Sequence, residues 1–257
     1  MKQLILVEGL PGTGKTTITR KISEHLISKG EKVTALFEGD DRIPCEFYET
    51  AGVPIDAFEE FYQQYPETPD NHYEIMFRTA NYVFLKLNKS SDMISKTFRK
   101  WDMGDEHNQF MTASQYISCA LERLDYWAAL NIDHREIMVI DSGFLQNPIN
   151  ELLFRKASDQ QIFSFIQAVI ERFKPLNPFC FYLKRENADA AISFAKRIKG
   201  SDWASRVESF LIQFGCPNFF NHRFEIELLM LPFIPHTICS VRDDDWSDAE
   251  SKIDSIF

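Results

Sequence analysis

The sequence feature that most constrains the fold is the run GLPGTGKT at residues 9–16, which fits the pattern GxxxxGK[ST] at every fixed position. An apolar segment, Leu4 to Val7, precedes the run and is predicted as a buried strand. An amphipathic segment, Thr16 to Lys29, follows it and is predicted as a helix that Gly30 ends. Together they predict a strand, a glycine loop and a helix, in which backbone N–H groups converge on an anion.

The residue types in this run indicate a nucleoside triphosphate with Mg²⁺, and ATP is the preferred nucleotide. Glycine lets backbone amides approach phosphate oxygens without a Cβ clash. Lys15 is expected to reach the β- and γ-phosphates, and the Thr16 hydroxyl to bind Mg²⁺. The residues predicted to bind the nucleotide are Gly9, Pro11, Gly12, Thr13, Gly14, Lys15, Thr16 and Thr17.

Short apolar runs alternate with helical patterns along the rest of the chain. The expected fold is therefore α/β, a single domain over residues 1–257 with a five-stranded parallel sheet flanked by helices. After the first strand, the predicted strands are Lys32 to Glu38, Ile137 to Ile140, Phe179 to Leu183 and Thr237 to Val241.

Residues 44–131 are predicted to form a helical insert between the second and third strands, covering a substrate. Apolar residues recur at helical spacing in four of its segments. These predicted helices are Pro54 to Gln64, Tyr73 to Leu87, Met93 to Trp101 and Thr112 to Leu130.

Asp141 ends the third predicted strand, in IMVIDSG. An acidic residue at the carboxyl end of a parallel strand faces the ligand crevice, so Asp141 is a candidate Mg²⁺ ligand. A role as the N-cap of the next helix is the alternative, and both roles can hold together. The next residue is Ser142, where many motor ATPases place a water-polarising glutamate. A pure ATPase is therefore disfavoured.

Composition excludes several partner classes. The chain carries a net charge of −10, which argues against a nucleic-acid surface and against an anionic membrane. No apolar run approaches the roughly 20 residues of a membrane span. The five cysteines are scattered without a CxxC pair. A cytoplasmic protein is expected. A homodimer that forms through the aromatic-rich insert is an open alternative.

At this point the sequence resembles the P-loop kinases of small molecules, the nucleoside and nucleotide kinase-like group with its thymidylate kinase-like and antibiotic-phosphorylating members. The resemblance rests on LILVEGLPGTGKTT, an acidic residue after the second strand, VIDSG at the third, and an arginine-bearing helical segment after the fourth. It implies the strand order 2-3-1-4-5 and a lid over residues 185–216. It also implies adenine binding near Arg242 and Asp243.

The resemblance further implies two kinds of catalytic side chain beside Lys15. Lid arginines would close over the transferring phosphate, and Arg197 is preferred, with Arg185 and Arg206 as other candidates. A carboxylate after the second strand would orient the acceptor, where Asp40 is preferred and Glu38 is next. A surface turn is the alternative for this acidic corner, and a solvated helix face is the alternative for the arginines.

The function expected from these residues is transfer of the γ-phosphate of Mg·ATP to a small-molecule acceptor, a nucleoside, a nucleotide or a similar hydroxyl- or phosphate-bearing compound. One alternative is a nucleotide-dependent switch, or slow ATPase, that binds a protein partner. Another is an enzyme on the same fold that uses ATP for ligation or activation.

Overall fold

The computed structural model describes residues 3–67, 73–104, 111–132, 136–213 and 215–257 of the chain. Its centre is a five-stranded, all-parallel sheet flanked by helices, as predicted for the α/β class. The strand order is β2-β6-β1-β7-β8, which becomes 2-3-1-4-5 when the strands of this sheet alone are numbered along the chain. The strands are β1 (Leu4–Glu8), β2 (Val33–Leu36), β6 (Ile137–Asp141), β7 (Pro178–Lys184) and β8 (His236–Ser240).

Helices cover both faces of this sheet, and side chains of the central strand β1 alternate between the two layers. Leu4 and Leu6 pack into the layer formed with α4, α5, α6 and α9, while Ile5 and Val7 pack against α1 and α10. The helices are α1 (Lys15–Ser28), α2 (Ile55–Gln64), α3 (Asp92–Phe98), α4 (Ala113–Asn131), α5 (Gln146–Phe154), α6 (Asp159–Phe173), α7 (Ala188–Lys199), α8 (Ser201–Gln213), α9 (Phe219–Met230) and α10 (Ser247–Ile256).

The insert between β2 and β6 is not purely helical, so that prediction is corrected. It contains an antiparallel sheet of order β3-β5-β4, formed by β3 (Thr50–Pro54), β4 (Glu74–Arg78) and β5 (Tyr82–Lys86). Helices α2 and α3 pack on this sheet around their own apolar cluster. The predicted helices Pro54 to Gln64, Met93 to Trp101 and Thr112 to Leu130 correspond to α2, to α3 with a following short 3₁₀ turn, and to α4.

The predicted helix from Tyr73 to Leu87 is wrong, because the segment folds back on itself as the β4–β5 hairpin. Phe77 and Phe84 lie seven residues apart, which suits one face of a helix. In the hairpin they stack instead across the two strands, with ring centroids 4.5 Å apart. Val83 and Leu85 face the insert's cluster while Phe84 faces the main core, which is strand periodicity.

In the described part of the chain, none of the helices combines the length and the apolar character needed to cross a bilayer. The sequence also predicts a helix from Trp203 to Phe214. It corresponds to α8, and Phe214 at its end lies outside the described residues.

Candidate functional site

The glycine loop, residues 9–16, joins the carboxyl end of β1 to α1 and is wedged between two elements from late in the chain. Gly12 and Gly14 have φ values of 79° and 91°, in the region that favours glycine. A Cβ on Gly12 would lie 2.9 Å from the Ala195 nitrogen of α7, and one on Gly14 would lie 2.2 Å from the Trp246 indole nitrogen. The loop therefore needs glycine at both positions for conformation and for space.

Lys15 lies at the first turn of α1 with its side chain buried under the loop. Its ammonium group donates to the carbonyl oxygens of Gly9 (3.0 Å) and Leu10 (3.3 Å). Burial lowers the pKa of Lys15, and the nearby positive charge of Arg223 lowers it further, while Asp141, Glu38 and Glu8 act in the opposite direction. The cation is thus held at the inner surface of the loop, where an anion would meet it.

The Thr16 hydroxyl and the Asp141 carboxylate, the two predicted Mg²⁺ ligands, lie together. Thr16 donates a 2.6 Å hydrogen bond to Asp141 Oδ2, and the Ser142 hydroxyl donates to Oδ1 at 2.8 Å. Asp141 is the last residue of β6 and is buried. One hydroxyl and one carboxylate at this spacing fit Mg²⁺, which takes few protein oxygens and shares the remaining positions with phosphate and water. Across the described ranges, no three His, Cys, Asp or Glu side chains converge as a dedicated metal cluster.

A second buried cation, Arg223 of α9, contacts the same loop. Its guanidinium donates to Gly9 O at 3.2 Å, so Arg223 and Lys15 share one carbonyl acceptor. The same side chain donates to Gln146 Oε1 and Asn150 Oδ1 of α5, both at 3.2 Å. It is 1% exposed, and its charge is balanced by Glu227, whose Oε1 lies 2.6 Å from Arg223 Nε.

Glu8, the last residue of β1, binds the start of α5 from beneath the loop. Its fully buried carboxylate accepts backbone N–H bonds from Phe144 (2.7 Å), Leu145 (3.1 Å) and Gln146 (3.3 Å). Burial first, and then the negative charge of Glu227, raise the pKa of Glu8 to about 7, although the amides oppose this rise. Glu8 therefore connects the glycine loop to the polar residues of α5.

The acidic corner after β2 places Asp40 and Glu38 differently. Asp40 is engaged by Arg42 through two guanidinium hydrogen bonds of 2.9 and 2.6 Å, and the Arg42 side-chain bond is the main cause that lowers its pKa. Glu38 instead accepts a 2.8 Å bond from Gln146 Nε2. Because Gln146 also accepts from Arg223, a chain of hydrogen bonds connects Glu38 to the carbonyl of Gly9.

Two large cavities lie near the glycine loop, and they share no lining residue. One, of about 910 Å³, lies between α7 and the segment after β8, and Arg242 and Asp243 line it. Arg185 also lines it and donates to Gly12 O at 3.2 and 3.1 Å. The wall includes the Phe194 ring, with the Arg185 guanidinium 3.6 Å and the Arg197 guanidinium 4.6 Å from its centroid.

The other cavity, of about 710 Å³, is lined by Pro11 of the loop and by Glu38, Gln146 and Arg223. Arg206 and Trp203 of α8 form its outer wall. A smaller cavity of about 160 Å³ adjoins it and shares Glu38, Asn150 and Phe154 with it. Together these spaces form a crevice that leads from the loop toward the insert.

The predicted site residues fall into three groups in the structure. The loop residues, Lys15, Thr16 and Asp141 are brought together at one edge of the sheet. Arg197 lies apart from the loop on the exposed side of α7, 3.6 Å from Asp243, and Asp40 lines none of the cavities described above. Thr17 lies on the first turn of α1, where it directly follows Thr16.

Sequence reasoning missed Glu8, Arg223 and Glu227. Glu8 was visible only as the residue before the glycine run. Arg223 and Glu227 stand four residues apart, a spacing that usually indicates an exposed ion pair on a helix. No local signal distinguished this buried pair from an exposed one.

A scan against protein-family models finds no match to this sequence, and a search of curated proteins finds no similar protein either. The function is therefore inferred from the glycine-loop motif and from the geometry around it.

Proposed function

We propose that this protein transfers the γ-phosphoryl group of Mg·ATP to a small-molecule acceptor that bears a hydroxyl or phosphate group. The observation that carries the proposal is the 710 Å³ cavity, which Pro11 of the glycine loop lines and which shares no lining residue with the 910 Å³ cavity. A protein that only binds or hydrolyses a nucleotide needs one such space. A phosphotransferase needs two, with the phosphate chain between them.

In this arrangement the nucleoside occupies the 910 Å³ cavity, and the triphosphate lies along the loop with its γ end toward Pro11 and Glu38. The cavity offers the Phe194 ring and the Arg185 guanidinium as flat surfaces for a base. We assign the chain on these grounds to the P-loop kinase type of fold, with an insert between the second and third strands of the sheet and a lid formed by α7 and α8.

Each loop side chain has a role that its position supports. Lys15 and the backbone amides of the loop bind and stabilise the charge on the transferring phosphoryl group. Thr16 and Asp141 are the residues that would hold Mg²⁺, which when bound neutralises phosphate oxygens. Ser142 donates its hydroxyl to Asp141 and carries no carboxylate to activate water, so this position favours transfer over hydrolysis.

Glu38 replaces Asp40 as the carboxylate that orients the acceptor. Glu38 lines both parts of the crevice, and Gln146 fixes its position. Asp40 is already committed to Arg42. A carboxylate within reach of the acceptor hydroxyl can take its proton as the new phosphate ester forms.

The experiment that tests the proposal measures ADP release from Mg·ATP with and without a panel of nucleosides, nucleotides, sugars and amino sugars. At least one acceptor should raise turnover well above the basal rate. The Lys15→Met variant should lose ATP affinity by about a hundredfold or more, since a charge-assisted contact to phosphate is lost. Lys21→Met is the matched control, because Lys21 lies on the outer face of α1 and pairs with Glu250.

The result against the proposal is equally clear. If ATP binds and no acceptor raises ADP release, the phosphotransferase assignment is wrong. If Lys15→Met binds ATP as tightly as the unaltered protein, the assignment of the loop is wrong.

A further inference from the structure

The small cavity at the inner end of the crevice differs in charge from the space near the loop. The carboxylates that line the 160 Å³ cavity are Glu38, Glu46 and Glu151. Among the described residues, no Lys or Arg lines it. Arg155, at the C-terminal end of α5, forms an ion pair with Glu151. Glu38 and Glu46 have no Lys or Arg partner within ion-pair distance in the described part of the chain.

Glu46 is the more constrained of these two carboxylates, and it is 9% exposed. It accepts N–H bonds from the backbone of Gly39 (3.2 Å) and Tyr48 (3.1 Å) and from the Asn147 side chain (3.3 Å). These donors are neutral, so the charge itself is unbalanced by any contact. They use three of the roughly four lone-pair positions of a carboxylate, which leaves one acceptor position.

Arg123 and Glu46 interact through their opposite charges, but no hydrogen bond or ion pair joins them in the described part of the chain. The Arg123 guanidinium donates instead to the carbonyl oxygens of Asp41 and Ile43, at 3.3 and 3.2 Å. Among the other buried carboxylates of the site, Glu227 has its own arginine, Arg223, whereas Glu8 accepts bonds from three backbone N–H groups. Unlike both of these, Glu46 also lines a cavity, so its charge is open to a cation that enters there.

Tyr48 supplies a second, independent indication of a cationic ligand. It lines the same cavity, and it is 61% exposed although its backbone is fixed. Lys86, a buried lysine, donates to Tyr48 O at 2.6 Å, and Glu46 accepts the Tyr48 N–H. An aromatic ring next to a carboxylate is a combination that binds ammonium groups, through the negative face of the ring and the opposite charge.

We infer that the acceptor is an amino alcohol in the broad sense: it carries the hydroxyl that receives the phosphoryl group and, several atoms away, a protonated amine that Glu46 and Tyr48 bind. This inference rests on the proposed function and specifies its substrate class. The acceptor oxygen forms a bond to the γ-phosphorus, the bond from that phosphorus to the β–γ bridging oxygen breaks, and ADP leaves. The hydroxyl proton passes to Glu38, and the amine is unchanged.

The same cavity disfavours a phosphate monoester as acceptor. A dianionic phosphate placed there would meet Glu38 and Glu46 with no lining cation to balance it among the described residues. The cations of the crevice, Lys199, Arg206 and Arg223, line the larger cavity, which Pro11 of the loop also lines. They are placed for the phosphoryl donor.

The test compares amine-bearing hydroxyl compounds with their own N-acetylated forms, which keep the hydroxyl groups and lose the charge. Suitable pairs are glucosamine with N-acetylglucosamine and kanamycin with its N-acetylated form, and nucleoside monophosphates represent phosphate acceptors. ADP release and the mass of the phosphorylated product are measured for each. At least one amine should exceed its N-acetylated form about tenfold or more in kcat/KM, and phosphate monoesters should not be turned over.

Two variants identify the residues. Glu46→Gln keeps the size of the side chain and should lower kcat/KM for the amine about tenfold or more, mainly through KM, with ATP affinity unchanged. Tyr48→Ala should act in the same direction; since that ring is exposed, the variant also serves if Glu46→Gln fails to fold. Glu136→Gln is the control, because Glu136 accepts a hydrogen bond from Thr34 and lies outside the crevice.

The outcomes distinguish failure of the amine inference from failure of the phosphotransferase assignment. Equal turnover of amines and their N-acetylated forms, or turnover of nucleoside monophosphates only, overturns the amine inference and leaves the phosphotransferase assignment standing. Full amine turnover in both Glu46→Gln and Tyr48→Ala also overturns it. If every acceptor class fails while Mg·ATP binds, the phosphotransferase assignment falls and the amine inference falls with it.

Discussion

The glycine loop and the α7–α8 segment, residues 188–213, approach each other at Gly12 and Ala195, yet they are held in opposite ways. Each carbonyl at the base and tip of the loop has a side-chain donor from elsewhere: Arg223 for Gly9, Arg185 for Gly12 and Trp246 for Thr13. By contrast, the Arg197 side chain of α7 is 61% exposed; it lies 4.6 Å from the centroid of the Phe194 ring on the same helix and 3.6 Å from the exposed Asp243.

This difference indicates that the two regions have separate roles. Donors and charges around the loop are fixed before any ligand arrives, so they stabilise developing charge without reorganisation. In the α7–α8 segment, Lys196 and Arg197 pair with the exposed carboxylates of Glu208 and Asp243. Exposed pairs contribute little stability, which suits a segment that closes over a substrate and excludes water. Variants in the first region should therefore affect stability, and variants in the second should affect kinetics alone.

The largest effect is expected when the buried ion pair under the loop is broken. Arg223→Met leaves the Glu227 charge buried without its cation and should lower the free energy of unfolding by about 3–5 kcal/mol. Urea unfolding followed by circular dichroism measures this. The double variant Arg223→Met/Glu227→Leu should recover most of the loss. A single variant as stable as the unaltered protein would mean that the loop is not held as described.

The free energy of unfolding should change with pH by roughly 3 kcal/mol because of Glu8. Its pKa is about 7 in the folded protein and near 4.5 when unfolded, so the folded state binds the proton more tightly. Its contribution to stability is present in full at low pH and is lost as pH rises from about 4.5 to 7. Relative to Glu8→Gln, the unaltered protein should lose stability across this window. A constant difference from pH 5 to 8 would contradict the assignment.

Variants of the acidic corner should distinguish Glu38, which Gln146 holds at the crevice, from Asp40, which pairs with Arg42. Glu38→Gln should reduce kcat with the acceptor about a hundredfold, because the group that takes the hydroxyl proton is lost. Asp40→Asn should change kcat only slightly, since Asp40 faces Arg42 instead of the crevice. Steady-state kinetics on the two variants measures both effects. The reverse ranking would restore Asp40 as the acceptor carboxylate.

The smallest effect is expected in the α7–α8 segment. Arg197→Met should lower kcat/KM for ATP about tenfold or less, because the lost guanidinium lies on the Phe194 ring in the wall of the cavity proposed for the nucleoside. Its free energy of unfolding should stay within about 0.5 kcal/mol, as for exposed substitutions generally. Kinetics and urea unfolding on the same preparation test both statements. Marked destabilisation would remove the contrast between the two regions.

The parallel sheet and the loop were predictable because their signals are local. Leu4 to Val7 is a continuous apolar run, and the glycine run that follows it carries its own spacing. The hairpin of β4 and β5 was not predictable by the same means. Phe77 and Phe84 satisfy helical spacing and also pair across strands, and only their packing in the fold distinguishes the two.

The rest of the site depends on contacts between distant parts of the chain. Arg223 reaches Gly9 across 214 residues, and its spacing to Glu227 is the same in a buried and in an exposed helix. The choice between Glu38 and Asp40 depends on where Arg42 points and on Gln146, whose helix α5 was not predicted. Burial and side-chain direction decide these roles, and neither is written in a short segment of sequence.

The central claim is tested most directly by following the γ-phosphoryl group itself. The protein is incubated with Mg·ATP that carries an isotopic label on the γ-phosphorus, together with the amine-bearing acceptors, and the products are separated. The account predicts that the label appears in the phosphorylated acceptor and that little appears as inorganic phosphate. Label found only in inorganic phosphate, or remaining in ATP that is nevertheless bound, would contradict it.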